Sequence, residues 1–451
     1  MHAPLAASRI LWACTALVAV TLSTELRAQT DVSAPSTSPS SASYDEAPQA
    51  PLDPIERLQA RIDSGAVTLA FDSITGWLPS VLGALAVPVE SQGLVFSRTS
   101  LQTDRVAPWA PRAVYFNDDV YIGYVRDGGV MEVAAVRPDG GTEFYTLAQQ
   151  HTERPRFQRE TTTCLMCHEA RSMTGGIPGL IVRSVLTDRL GYPIGEVTEG
   201  QATERTPFER RWGGWYVSGE AASMGHSANV FSPDLRHEVS DVQRYVADFD
   251  FARGRTDDPA GERFEPSAYL SPHSDLVALT VLLHQSRVHN LISLAHEAAD
   301  EALRLVSLQA GDPGGPVEYE SLSPYLRGRI EGAVAALVDA MLFVGEVAPP
   351  APLRGPTAFA ADFQRRGPWD SQGRSLRELD LERRTFRYPL SFLIYSEAFD
   401  GLPALVKNPV YQRLRAVLEA ADGGEAYAHL DADDRRAILE ILVETKPDFG
   451  G

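Results

Sequence analysis

The sequence predicts an α+β protein, with a β-rich antiparallel part first and a mainly helical part after it. Two observations carry this. Between residues 112 and 147 four short runs, RAVYF, VYIGYV, VMEVAAV and TEFYTL, are rich in β-branched and aromatic side chains. They are parted by Asn117-Asp118-Asp119, Asp127-Gly128-Gly129 and Asp139-Gly140-Gly141. Such residues reverse a chain because they reach left-handed backbone at little cost, so a meander of about four strands follows. From Ser274 onward, DLVALTVLLHQSRVHNLISLAHEAADEALRLV is apolar almost all round in its first half, the pattern of a helix buried on every side.

The elements follow in order along the 451 residues. Ile10 to Leu22 is an apolar run of 13 residues behind Arg9, too short to span a bilayer comfortably but the length of a signal-peptide core. TELRA follows, which places cleavage after Ala28; an uncleaved anchor is the other reading. A lipid anchor on Cys14 is opposed by Trp12, where a small side chain is needed. Residues 29–53 are rich in Ser, Pro and Ala with almost no large apolar side chain, and read as a disordered linker. The β-rich region spans 54–160 and opens with a short helix, IERLQARI, after Pro54. Region 161–451 begins with irregular Gly-rich segments, TGGIPGL and RWGGWYVSG, before the helices. One helix starts with Ser323 as N-cap and Pro324 at its first position. LDADDRRAILEILVET is a last amphipathic helix with Asp431 as N-cap.

Composition excludes whole classes of function. Lys plus Arg number 41 against 60 Asp plus Glu, a formal charge of -19, which argues against gripping nucleic acid or an anionic membrane. No second stretch approaches 18 apolar residues, so no transmembrane span is expected in the mature chain. The expected location is the periplasm or another exported compartment.

Of three cysteines, Cys14 leaves with the signal, and Cys164 and Cys167 remain in Cys164-Leu165-Met166-Cys167-His168. CxxCH is the attachment signature of c-type haem. Two thiols three residues apart on one helical turn reach the two vinyl groups of one haem edge, and the following His lies under the ring and ligates iron. A CxxC redox disulfide would want a βαβ context that is lacking here; a zinc site would want further ligands near by. The expected cofactor is therefore one covalent haem c, held by Cys164, Cys167 and His168.

The ligand on the other face of the iron stays open. Met224 and His226, in ASMGHSAN, follow His168 at an interval that suits the distal ligand of a compact cytochrome. Met173 is too near in sequence to cross the ring easily. His284 and His289 lie in the apolar helix, where a histidine is more often a satisfied core residue, and an unfilled sixth position is a further alternative. The stretch 365–387 carries seven Arg against four acids; it pairs with haem propionates or an anionic partner, or forms a structural salt-bridge network. Trp212 and Trp215 either pack on a porphyrin edge or belong to the core.

These residues resemble a group of uncharacterised exported bacterial proteins with a single CxxCH set deep in a long chain. CLMCHEARSMTGGIPGLIVRSV and RWGGWYVSG carry the likeness, with RAVYFNDDVYIGYV, HNLI and GRSLRELDLERRTFRYPLSFLIYSEAFDGLP, over roughly Arg112 to Pro447. The group is similar to the cytochrome c family in its haem motif and in a terminal helix of the DRRAILEIL type. The resemblance implies haem c at Cys164, Cys167 and His168, with electron transfer, and no substrate. His226 and Asn229 fall on a His-x-x-Asn of the group, which favours His226 over Met224. In class I cytochromes c a Pro some ten residues after the haem His offers its carbonyl to that ring, and Pro178 looks like its counterpart.

The function expected is that of an exported monohaem c-type cytochrome in single-electron transfer with a periplasmic donor or acceptor protein. The alternatives are a haem-dependent oxidoreductase, such as a peroxidase or oxygenase, with an open sixth site, and an envelope protein that haem merely staples.

Overall fold

The computed structural model describes residues 51–220, 224–310, 317–420 and 424–450. The signal-peptide run and the linker up to residue 50 lie outside the described residues. Ala50–Gly451 forms one compact unit. Its strands are β1 (Gly93–Val95), β2 (Arg112–Phe116), β3 (Val120–Tyr124), β4 (Val130–Val136), β5 (Thr142–Ala148), β6 (Phe157–Arg159), β7 (Val185–Thr187), β8 (Pro193–Glu196) and β9 (Trp215–Tyr216). Seven of them make one antiparallel sheet in the order β6-β5-β4-β3-β2-β1-β9, and β7 and β8 form a separate hairpin. The α+β class expected from the sequence is the one the chain adopts. The four runs between 112 and 147 are β2 to β5, joined by the expected turns.

Alternation along these strands gives the sheet two different faces. Ala113, Tyr115, Val120, Ile122, Met131, Val133, Tyr145 and Leu147 point to one side, where they pack with α1 (Pro54–Asp63) and α2 (Leu78–Ala84). Phe116, Tyr121, Ala134, Val136 and Phe144 point to the other, towards the main helical core. Helix α1 is fixed by a capping box: Asp53 Oδ1 accepts from the backbone N–H groups of Ile55 and Glu56 at 2.7 and 2.9 Å, and Glu56 accepts from the Asp53 N–H at 3.0 Å. The Tyr145 hydroxyl donates to the other Asp53 oxygen at 2.5 Å, tying the cap to β5.

Three short helices, α3 (Leu165–His168), α4 (Arg171–Thr174) and α5 (Val242–Asp248), precede the 35-residue α6 (Leu276–Ala310). Asp275 caps α6, accepting from Val277 and Ala278 N–H at 2.8 and 3.1 Å. The first half of α6 is buried nearly throughout, as its all-round apolar sequence requires. Around it stand α7 (Pro324–Met341), α8 (Phe359–Gln364), α9 (Glu397–Asp400), α10 (Ala404–Glu419) and α11 (Ala432–Thr445). Ser323 and Asp431 cap α7 and α11 as expected, accepting from Leu326 and Asp434 N–H. No helix among the described residues is long and apolar enough to cross a membrane.

Candidate functional site

Cys164 stands at the start of α3, whose single turn carries Leu165, Met166, Cys167 and His168; the Cys164 carbonyl accepts from the N–H groups of both Cys167 and His168, at 3.2 and 3.0 Å. Both thiols therefore stand on one turn, and both are free. Burial raises the Cys164 thiol to about 11, helped by the Glu160 and Glu132 carboxylates, so it is protonated at neutral pH.

His168 is held from behind. Its Nδ1 lies 2.9 Å from the Gly179 carbonyl oxygen. A carbonyl only accepts, so Nδ1 carries the proton and the ring's lone pair is on Nε2. The acceptor is one residue beyond Pro178, which corrects the expectation: Gly179 also donates its N–H to the His168 carbonyl at 2.9 Å, so the two residues close a double link that Pro178, with no N–H, cannot make. Gly179 itself is confined, since a Cβ there would stand 2.6 Å from Asn290 Oδ1. That Asn290, on α6, accepts from Leu180 N–H at 2.8 Å and donates to the Leu180 carbonyl at 2.7 Å. A single buried amide thus anchors the loop that orients His168. Burial lowers the His168 pKa, with Arg112 acting in the same direction.

Cys164, Cys167 and His168 line one wall of a cleft. The opposite surface is the helical-side face of the sheet, with Val114, Tyr121, Gly123, Glu132, Ala134 and Phe144. Leu180, Val182, Trp215 and the α6 residues Leu282 and Ser286 complete it, and Ser97, Thr99, Arg112 and Arg183 supply polar groups. The Phe144 ring lies 4.6 Å from that of His168, centroid to centroid. Tyr121 is fixed by Gln285 Nε2, which donates to its hydroxyl at 2.7 Å, and by His289 Nδ1 at 2.8 Å.

The donor set fits a tethered haem: two free thiols on one turn, one imidazole with Nε2 prepared to ligate, and a largely apolar cleft in front of them. Among the described residues no group of three or more His, Cys, Asp and Glu could hold a bare ion. The candidates for a distal ligand are not brought to this place. Neither Met224 nor His226 lines the cleft. Met224 is packed in the main core. His226 accepts from the Ala228 N–H through Nδ1 at 3.1 Å, so its lone pair is occupied and its proton sits on Nε2, the reverse of His168. Burial, with Arg255 near by, depresses its pKa to about 4. His284 pairs with Ser391 Oγ at 2.8 Å and His289 with Tyr121; both are core residues. Trp215 reaches the cleft, whereas Trp212 packs against Phe208 and His226.

Every arginine of the 365–387 stretch has a carboxylate partner. Arg366 and Arg377 share Asp118, Arg374 takes Asp370, Arg384 takes Asp434, and Arg365, Arg383 and Arg387 pair with Asp362, Asp380 and Glu378. The basic island is a structural network that closes the helical part on the β3 turn. Arg112, Glu132, Arg183 and Asn290 carry no sequence signal of their own as site residues; only their places in strand alternation and near the motif could have raised them.

Compared with protein-family models, curated proteins and solved structures, the chain matches none of them.

Proposed function

We propose that the chain is an exported monohaem c protein in which Cys164 and Cys167 hold the haem and His168 is the axial ligand that the protein supplies. The observation that carries this reading is the His168 Nδ1 to Gly179 carbonyl bond, which leaves Nε2 as the ligating atom beside two free thiols on one turn. Each thiol would add its S–H across a vinyl double bond, sulfur to one carbon and hydrogen to the other. When bound, the haem supplies a one-electron ferric–ferrous couple. The Gly179 carbonyl makes His168 a stronger donor by drawing on its N–H, which favours the ferric state. Val114, Ala134, Phe144, Val182 and Leu282, which line the cleft, would shield a bound ring from water.

Within this reading the lining of the cleft favours an open sixth position over a second protein ligand: among the described residues His168 is its one His, and no Met lines it. The activity that follows is ligand binding or haem-dependent oxidoreductase chemistry at that position, with electron delivery by a periplasmic partner at the exposed edge beside Met166 and Cys167. Optical spectra of protein from a haem-c-maturing host, oxidised, reduced, and reduced under carbon monoxide, test it. A c-type spectrum that shifts promptly with carbon monoxide is expected. A c-type spectrum indifferent to carbon monoxide returns the protein to pure electron transfer, and absence of covalent haem overturns the proposal.

A further inference from the structure

Two arginines line the cleft, and the way each is held points beyond its existing ion pair. Arg112 starts β2. Two residues on, and on the same face of the sheet, Val114 is in register with Gly123 of β3, and Gly123 faces Glu132 of β4. The guanidinium lies over Gly123 and reaches Glu132 two strands away, Nη2 to Oε2 at 2.8 Å. A Cβ at Gly123 would stand 2.6 Å from Arg112 Nε and 2.8 Å from Cζ, so the missing side chain is what lets the group lie flat on the sheet. Arg183 pairs in the same one-sided way with Glu196. In both arginines Nε is buried and has no hydrogen-bond partner, although a guanidinium presents Nε and Nη together as a fork for a carboxylate.

The two arginines belong to one end of the cleft. Val95 of β1 is in register with Arg112 on one side and Trp215 on the other, and the Trp215 indole N–H donates to the Arg183 carbonyl at 2.9 Å. Ser97 and Thr99, two and four residues past Val95, add hydroxyls to the same lining. Leu180, Leu282, Phe144 and Ala134 make the rest apolar. A planar ligand with carboxylates along one edge and hydrocarbon along the others matches this distribution of polarity.

We infer that Arg112 and Arg183 are the receptors for two carboxylates, and that these are the propionates of the haem itself; the inference rests on the haem reading above. It moves propionate recognition from the 365–387 arginines, none of which lines the cleft, to Arg112 and Arg183, which do.

The test uses holoprotein carrying Arg112→Gln with Glu132→Gln, Arg183→Gln, Arg112→Lys and Gly123→Ala, with haem content by pyridine haemochrome and the midpoint potential titrated from pH 5 to 9. Covalent haem in the unsubstituted protein establishes the parent reading separately. Expected is full haem content with a potential that acquires a new pH dependence in both glutamine variants, because a propionate that loses its guanidinium titrates within that range. Gly123→Ala, which keeps the charge but lifts the fork, should show the same change, and Arg112→Lys a smaller one. Unchanged pH profiles in all variants at full haem content overturn the inference. So does the other source of carboxylate: if added formate shifts the spectrum of the unsubstituted protein and Arg112→Gln with Glu132→Gln abolishes that shift, the arginines serve a free anion.

Discussion

Replacing Asn290 by Ala should cost stability and loosen the loop behind His168 at once. The Asn290 amide accepts from Leu180 N–H and donates to the Leu180 carbonyl, and both Asn290 and Leu180 are buried. The substitution leaves a backbone donor and a backbone acceptor without partners. Each such group costs about 1–3 kcal/mol, and partial relief by Gln201, whose side chain already touches the amide at 3.3 Å, puts the total near 2–4 kcal/mol. Urea unfolding of the purified holoprotein, followed by circular dichroism, measures this. A second arm tests the geometry. Gly179→Ala alone drives a methyl group against Asn290 Oδ1, so in the Asn290→Ala background it should cost less than in the parent, with a coupling of about 1 kcal/mol or more. Asn290→Ala within about 0.5 kcal/mol of the parent, the range of an unremarkable surface change, would refute the reasoning. Strict additivity with Gly179→Ala would refute the packing part of it.

Three further outcomes are expected. His226→Ala should leave the oxidised and reduced optical spectra unchanged, because the His226 lone pair is taken by Ala228 N–H and the ring is outside the cleft; a new high-spin spectrum would make it a ligand after all. Burial, with Asp118 and Glu397 adding to it, raises the Asp119 carboxyl to about 7, so its contribution to stability is present at acid pH and is lost as pH rises through about 7. Asp119→Asn should therefore gain stability over the parent progressively from pH 5 to 8, read from urea midpoints, and a constant difference would sink the assignment. Arg377→Met should destabilise by about 1.5–3 kcal/mol, the range for hydrogen bonds to a charged group, since it leaves Asp118 with Arg366 alone, removes the bond to the Gly367 carbonyl at 2.8 Å and lifts a cation from the Phe392 ring; thermal unfolding reads it, and a loss under about 1 kcal/mol would reduce the pair to the level of a surface bridge.

Legibility in the sequence followed the range of the forces involved. Strands β2 to β5 could be read because their alternation and their Asn, Asp and Gly turns are local. So could the caps Ser323 and Asp431 and the all-round apolar start of α6. Strands β1 and β9 could not. Gly93–Val95 and Trp215–Tyr216 are too short to show a period; β1 is a strand because it finds β2 in register, and β9 because it finds β1. Helix α10 hides behind Pro409, which sits in its interior and reads locally as a breaker. The thiols and His168 were legible as a motif; Asn290 and Gly179 were not, because their roles are set by a contact between residues more than a hundred positions apart.

The same contrast explains why sequence interval was a poor guide to the far side of the cleft. In a compact haem domain of about a hundred residues, every wall of the site must come from chain close to the motif, so the next His or Met some tens of residues on is the natural ligand. Here the surface opposite the CxxCH turn is the sheet, laid down by β2 to β5 before the motif is reached, and a further wall is α6, more than a hundred residues after it. The segment holding Met224 and His226 is then free to serve the core. A cleft built from three distant parts of the chain also places charged side chains of two strands, Arg112 of β2 and Glu132 of β4 with Gly123 of β3 between them, where a short domain would have only loop. The length of the chain is thus spent on the surface facing the motif, and under the proposed haem reading any selectivity for what approaches the site would reside in those strands.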